Sequence, residues 1–290
     1  LLGAAWLLAP RGVPWRPCGI ALMAPAFATA PPAPAHGEAW ITVFDVGQGL
    51  AVLVRTAGRA LLYDAGPAWG PEADSGSRVL VPSLAGAGIA RLDLMVLTHE
   101  DSDHLGGALS VMEALEVDAL ASSLAPRHAL NALAAAPRRC HAGDAWEWDG
   151  VRFAFLHPPR EGASRRRNNQ SCVLRVQTQH GSVLLTGDIE KIAELKIEWS
   201  TADVLLVPHH GSRSSSSAEL IAAVQPRLAI VSAGYRSRFG HPAPEVLERY
   251  GAAGVEVLRT DLDGAVSVGL NRGGLALRAE RRARERYWLQ

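Results

Sequence analysis

Four times along this chain a short apolar run stops on histidine or aspartate. "LDLMVLT" runs into His99, "SVLLTG" into Asp188, "DVLLVP" into His209 and His210, and "LAIVSAG" into a loop that ends at His241. Short, nearly continuous apolar runs are the mark of strands covered on both faces. Several such strands, alternating with helical segments, require sheets with helices packed outside them. In α/β layers the carboxyl ends of the strands face one crevice. Residues far apart in sequence are thereby expected to converge there.

The rest of the chain fits that frame. "AWITVFDV" alternates as a strand, and "LAVLVRT" and "RALLYDAG" form a hairpin across "AGR". "SRVLVPSLAGAG" reads as a helix ending on glycine. Hairpins are expected over the "DG" of "AWEWDGVRFAFLHP" and the "HG" of "SCVLRVQTQHGSVLLTGD", then strand–helix alternation to "VEVLRTD". "GAVSVGLN" and "GLALRA" add an edge hairpin. The fold class is therefore α/β (α+β), with two mixed sheets and helices outside them.

The densest group is "HEDSDHLGG". In extended backbone, residues two apart point the same way. His99 and Asp101 can thus chelate one ion, while Asp103 and His104 begin the next turn and serve a second. Gly106 and Gly107 let backbone approach closely. As an ordinary polar loop, Asp103 would simply cap the following helix. A chance H-x-D-x-D-H in a chain of this composition arises on the order of once in a thousand. Asp188, at a strand's end, is placed to bridge two ions, although many such aspartates only form turns. Paired histidines at a strand end suit metal ligation by neutral imidazole. His241 alone is more often a loop residue.

Bulk properties restrict the partners. The chain has 290 residues, 48% of them hydrophobic, and zero formal net charge. That neutral total argues against a wholesale polyanion-coating protein, so nucleic-acid contact would need local basic patches. Cys18, Cys140 and Cys172 are far apart and odd in number, which predicts neither a disulfide framework nor a cysteine metal site. Residues 1–35 contain no Asp or Glu and are broken by proline. Their apolar runs are too short to span a bilayer. They are expected to be ends of membrane helices and a Pro-rich linker, with a secretory leader as the alternative. The main domain is expected over 36–270 and a basic tail over 271–290.

With these residues in view, "THEDSDHLGG", "LLTGD" and "VPHHGS" resemble the metallo-β-lactamase fold. The ordered set "VFDVGQGLAVLVRT", "LLYDAGP", "HEDSDHLGG", "NNQSCVLRV", "LLTGD", "VPHHGS" and "FGHP", from about Trp40 to Asp263, resembles the carboxy-terminal domain of the ComEC competence DNA-uptake channel family. The resemblance implies a four-layer αββα sandwich and a metal-dependent nuclease that hydrolyses the non-transported DNA strand during natural transformation. It implies single-stranded DNA, the membrane channel of the same polypeptide and other competence proteins as partners. The expected location is the bacterial inner membrane, with this domain on the outer, periplasmic side.

The chain departs from the general superfamily pattern H-x-H-x-D-H. Asp101 replaces the second histidine, and near "RRRNNQS" only Asn168, Asn169 and Ser171 stand where another histidine is expected. Two divalent ions are still expected. Oxygen-rich ligation favours Mn²⁺ or Mg²⁺ over Zn²⁺. His99 and Asp101 would hold the first ion, and Asp103 and His104 the second, with Asp188 between them. The last ligand falls to His209 or His210, a choice that a one-residue register change reverses. The assignment taken forward is His209 as ligand, with His210 or His241 protonating the leaving oxygen or holding phosphate. Asp64 would orient a ligand histidine through its other ring nitrogen. Arg165, Arg166, Arg167, Arg213, Arg236 and Arg238 are candidate DNA-backbone contacts. The competing readings are a hydrolase of another ester or phosphodiester, and a non-catalytic DNA guide.

Overall fold

The apolar runs form strands because each side chain finds an apolar neighbour on its own side of a sheet. Along Leu94–Leu97, Leu94 and Val96 enter one core while Met95 and Leu97 enter another. Along Val204–Leu206, Val204 and Leu206 join that first core and Leu205 enters a third. Each such buried side chain contributes roughly 1.5–3 kcal/mol. The computed structural model describes residues 2–28, 31–162, 164 and 166–284.

An eight-stranded sheet runs in the order Pro137–Arg139, Leu120–Ser122, Leu94–Leu97, Ala60–Tyr63, Val52–Arg55, Ala39–Val43, Val266–Asn271, Gly274–Ala279. A seven-stranded sheet runs Ala145–Trp148, Val151–His157, Val173–Thr178, Gly181–Leu185, Val204–Leu206, Leu228–Val231, Glu256–Arg259. Both are mixed. The first four strands of the larger sheet are parallel to one another, as are the last four of the smaller. The shared core joins residues such as Tyr63, Val96, Phe153 and Leu206 from the two sheets. Helices Val81–Gly86 and Ala108–Ala114 cover the outer face of the larger sheet through Leu84 and Val111. Helices Ala218–Val224 and Pro244–Ala252 cover the smaller through Leu220, Val224, Val246 and Tyr250. These are the four layers of an αββα sandwich.

The expected hairpins form, including Val52–Arg55 with Ala60–Tyr63 and Val173–Thr178 with Gly181–Leu185. Three features correct the sequence reading. Pro137–Arg139, which carries no strand pattern, adds a parallel edge strand. The larger sheet continues through Gly274–Ala279, so the folded domain passes the boundary placed at 270. Cys140 and Cys172 are disulfide-bonded, with Cα atoms 5.9 Å apart, contrary to the expectation of no disulfide. Cys140 follows the edge strand of one sheet and Cys172 leads into the other, so the bond staples the layers. Sheet stacking, not spacing, brings the two together.

Near the amino terminus, helices Leu2–Leu7 and Cys18–Ala28 pack against each other. Gly3 and Gly19 permit the approach, since a Cβ on either would lie 2.6 Å from the other's carbonyl oxygen. Among the described residues, no helix is long and apolar enough to cross a membrane.

Candidate metal centre

The parallel strands of both sheets deliver their carboxyl ends to one rim. Tyr63 ends its strand just before Asp64, Leu97 just before Thr98 and His99, and Leu185 shortly before Asp188. Close backbone packing holds the His99 loop. A Cβ on Gly106 would meet the Ala68 nitrogen at 2.1 Å, and one on Gly107 the Gly76 nitrogen at 2.3 Å.

Asp188 is the hub. Its Oδ1 lies 3.1 Å from His104 Nε2, and its Oδ2 lies 3.6 Å from His210 Nε2, 3.7 Å from His209 Nε2 and 3.9 Å from His99 Nε2. Two groups have geometry that could hold an ion: His99, His104 and Asp188, and Asp103, His104 and His210. Asp101 Oδ2 stands 3.6 Å from His99 Nε2 and is 37% exposed, so it closes the first group on its open side.

The far ring nitrogens are tied down. Asp64 Oδ2 accepts from His104 Nδ1 at 2.7 Å and from the Thr98 hydroxyl at 2.8 Å. His210 Nδ1 donates to the Ser232 carbonyl at 2.8 Å. Thr98 Oγ1 lies 2.9 Å from His99 Nδ1. Each bond fixes a ring and turns its Nε2 lone pair toward the cluster. Asp64 thus orients His104, which belongs to both candidate groups.

The paired histidines reverse the expected roles. His210 is 3% exposed and sits 3.4 Å from Asp103 Oδ2 and 3.2 Å from His104 Nε2. His209 lies toward the rim, where the Asn168 amide donates to its Nε2 at 3.3 Å and the Ser214 hydroxyl is 3.3 Å from its Nδ1. His210 is therefore the better ligand for the second group, and His209 the better candidate for contact with substrate. The turn explains why register failed. His209 and His210 both have positive φ, 51° and 54°. Consecutive left-handed residues follow neither strand alternation nor helical periodicity.

His241 stands at the same rim, its ring 5.7 Å from that of His209 and 6.3 Å from that of His210. Burial and the neighbouring histidines push it down to about 4. Asn168 and Ser171 occupy the expected histidine's region. Ser171 Oγ accepts from the Asp188 backbone N–H at 3.1 Å and lies 3.5 Å from His99 Nδ1.

The arginines divide. Arg167 lies 3.8 Å from Asp101 and 3.7 Å from Glu100, and Arg166 lies 3.5 Å from Glu190. Arg213 pairs with Glu245 at 3.2 Å, while Arg236 and Arg238 lie over the Tyr235 and Phe239 rings. Arg165 lies outside the described residues. The Ser232 carbonyl and Arg139 have no motif to betray them. Only the packing reveals their positions.

The chain matches the description "Metallo-beta-lactamase superfamily" over residues 44–235 and belongs to that superfamily. Within it, the chain is similar to competence protein ComA of Neisseria gonorrhoeae, at 41% identity over 98% of this chain and 40% of that protein. ComE operon protein 3 of Bacillus subtilis is 33% identical over 79% of this chain and 33% of that protein. These relatives agree with a ComEC-like domain, and the chain spans well under half of their length. Among solved structures, Igni18, a metallo hydrolase from Ignicoccus hospitalis, has a TM-score of 0.53 at 16% identity, covering 79% of this chain and 98% of that one. That likeness concerns the fold.

The superfamily implies divalent-metal binding, and the residues present fit it. His99 Nε2 is buried without a hydrogen-bond partner among the described residues. A buried polar atom left so costs about 1–3 kcal/mol unless something occupies it. Two predictions arise here. Asp64→Asn should weaken metal binding roughly 10–100-fold while the fold persists, as measured by competition with a chromophoric chelator. Burial lowers the His104 pKa, but the Asp188 and Asp64 carboxylates outweigh it and hold the imidazole well above its ordinary value. The metal-free fold therefore gains stability from protonated His104 at low pH and loses it as pH rises through that raised value. Metal must displace the same proton. Apparent affinity should rise with pH, with proton release visible as buffer-dependent binding heat.

Proposed function

We propose that this domain is a metal-dependent phosphodiesterase of a DNA-uptake channel, hydrolysing the strand that is not transported. A metal-dependent hydrolase is the class that the superfamily and the site support. The observation carrying the reading is the convergence on Asp188 of two donor groups that share His104. When bound, paired divalent ions supply an activated water and a clamp on the oxygens of an in-line phosphoryl displacement.

The chain's own residues set the stage. Asp188 presents both oxygens to the cluster, and Asp64 and the Ser232 carbonyl keep His104 and His210 from rotating. His99 and Asp101 would hold the first ion, and Asp103, His104 and His210 the second. A carboxylate at Asp101 in place of an imidazole favours Mn²⁺ or Mg²⁺, with Zn²⁺ also accepted. His209 and His241, side by side at the rim, would hold a phosphate or protonate the leaving oxygen. Arg166 and Arg167 offer sequence-blind backbone contacts.

Three features support the location and partners. The name of the Neisseria gonorrhoeae relative places that protein in competence. Disulfides persist in oxidising compartments, so the Cys140–Cys172 bond supports a periplasmic position. The exposed Leu2, Trp6 and Ile20 of the amino-terminal helices suit junction with a membrane portion. Other competence proteins would meet the channel there.

The test is incubation of the chain with single-stranded DNA and Mn²⁺, Mg²⁺ or Zn²⁺, beside Asp103→Ala and His104→Ala. Metal-dependent cleavage lost in both variants supports the reading. Hydrolysis of a generic phosphodiester without DNA cleavage would point to another substrate. Tight metal and DNA binding with no turnover would leave a DNA guide.

A further inference from the structure

A second polar cleft, of about 270 Å³, opens beside His99. Its walls include Glu100, Ser123, Arg139, Arg167 and Gln170. Drug-sized pockets start at roughly 300 Å³, so this one suits about one nucleotide unit. Its two cations differ. Arg167 faces Glu100 and Asp101 at 3.7 and 3.8 Å. Arg139 has no carboxylate within salt-bridge reach among the described residues, and its Nη2 donates only to the Ser123 carbonyl, at 3.5 Å. Four of its five guanidinium N–H donors remain free for a ligand.

The disulfide builds this cleft. Arg139 immediately precedes Cys140, and Gln170 stands two residues before Cys172. The bond therefore joins the wall from the edge strand Pro137–Arg139 to the wall from the Asn168–Ser171 turn. Both cysteines are fully buried. Arg139 is thus fixed on covalently tied backbone rather than on a free loop, next to a ring that belongs to the candidate metal group.

We infer that this cleft holds the phosphate adjoining the scissile one on a nucleic-acid strand, with Arg139 as its main anchor. The inference rests on the phosphodiesterase reading. A guanidinium grips phosphate through paired N–H donors and ignores base identity. The cleft shares His99 with the metal group, so a strand crossing the centre would set successive phosphates in the two places. Substrates with a flanking phosphate gain affinity, and single isolated phosphodiesters do not.

The test compares wild type, Arg139→Ala and Arg139→Lys in the full chain. With Mn²⁺ present, kcat/KM is measured for 5′-phosphorylated oligothymidylate and for the p-nitrophenyl ester of thymidine 5′-phosphate, which has no neighbouring phosphate. Arg139→Ala should lower the ratio of the two values by about tenfold, through KM, and Lys should restore part of it. A second arm follows binding of 3′-labelled oligothymidylate in EDTA by anisotropy. Its salt slope should fall by about 0.7 in Arg139→Ala, the value for one single-strand phosphate contact. Equal losses on both substrates would overturn the cleft, as would binding and salt slope unchanged from wild type. Arg139-dependent binding without any hydrolysis by wild type would retain the cleft and remove the phosphodiesterase reading. DNA cleavage indifferent to Arg139 would do the reverse.

Discussion

Asp188→Asn is expected to lower divalent-metal affinity by more than about a hundredfold and to reduce hydrolysis to background. Loss of a residue that merely orients a ligand costs 10–100-fold, and Asp188 sits inside the cluster. Its two oxygens lie 3.1–3.9 Å from the Nε2 atoms of His104, His210, His209 and His99. Burial favours its neutral form, yet His104 and His210 outweigh that and hold the carboxyl well below its ordinary range. The charge is therefore maintained by the imidazoles it faces. Asparagine keeps the shape but removes that charge and turns an N–H₂ toward one ring. The fold should survive, because the three large cores do not include this residue. Chelator competition, oligonucleotide cleavage and circular dichroism check the three parts. Affinity retained within a few-fold would show that Asp188 is not a shared ligand.

Cys172→Ser is expected to destabilise the domain by about 3–4 kcal/mol, the chain-entropy value for a loop of this length. The bond spans a sequence separation of 32. For a chain of 290 residues that corresponds to a Tm lower by roughly 5–7 °C. Cys140→Ser and the double variant should match it, since each removes the same cross-link. Thiol titration of the denatured, unreduced protein should find Cys18 alone. Three reactive thiols would mean that the cross-link does not form. The change should also loosen the neighbouring site, because Ser171 holds the Asp188 backbone N–H. Metal affinity should fall more in Cys172→Ser than in a surface variant of equal Tm.

Much of the candidate site was legible because its chemistry sits at strand ends. The apolar runs before His99, Asp188 and His209 defined strands, and strand ends in such layers share a rim. Asp64 was legible for the same reason. His209 and His210 were not separable, because their side-chain directions come from a left-handed turn that no periodicity reports. Arg139 ends a strand with no alternation, paired in parallel with Leu120–Ser122. Arginines rich in local pattern fared unevenly. Arg167 reaches the rim near Asp101, whereas Arg213 is paired with Glu245.

From the sequence alone came the two-sheet architecture and the candidate donor residues, Asp188 among them. Burial alternation and strand-end chemistry are local properties, written in neighbouring residues. Tertiary structure decided which histidine turns inward, which arginine stays unpaired, and that Cys140 meets Cys172. Those outcomes depend on how two sheets stack and on backbone turned by a few residues, and contacts of that range leave no periodic trace along a chain.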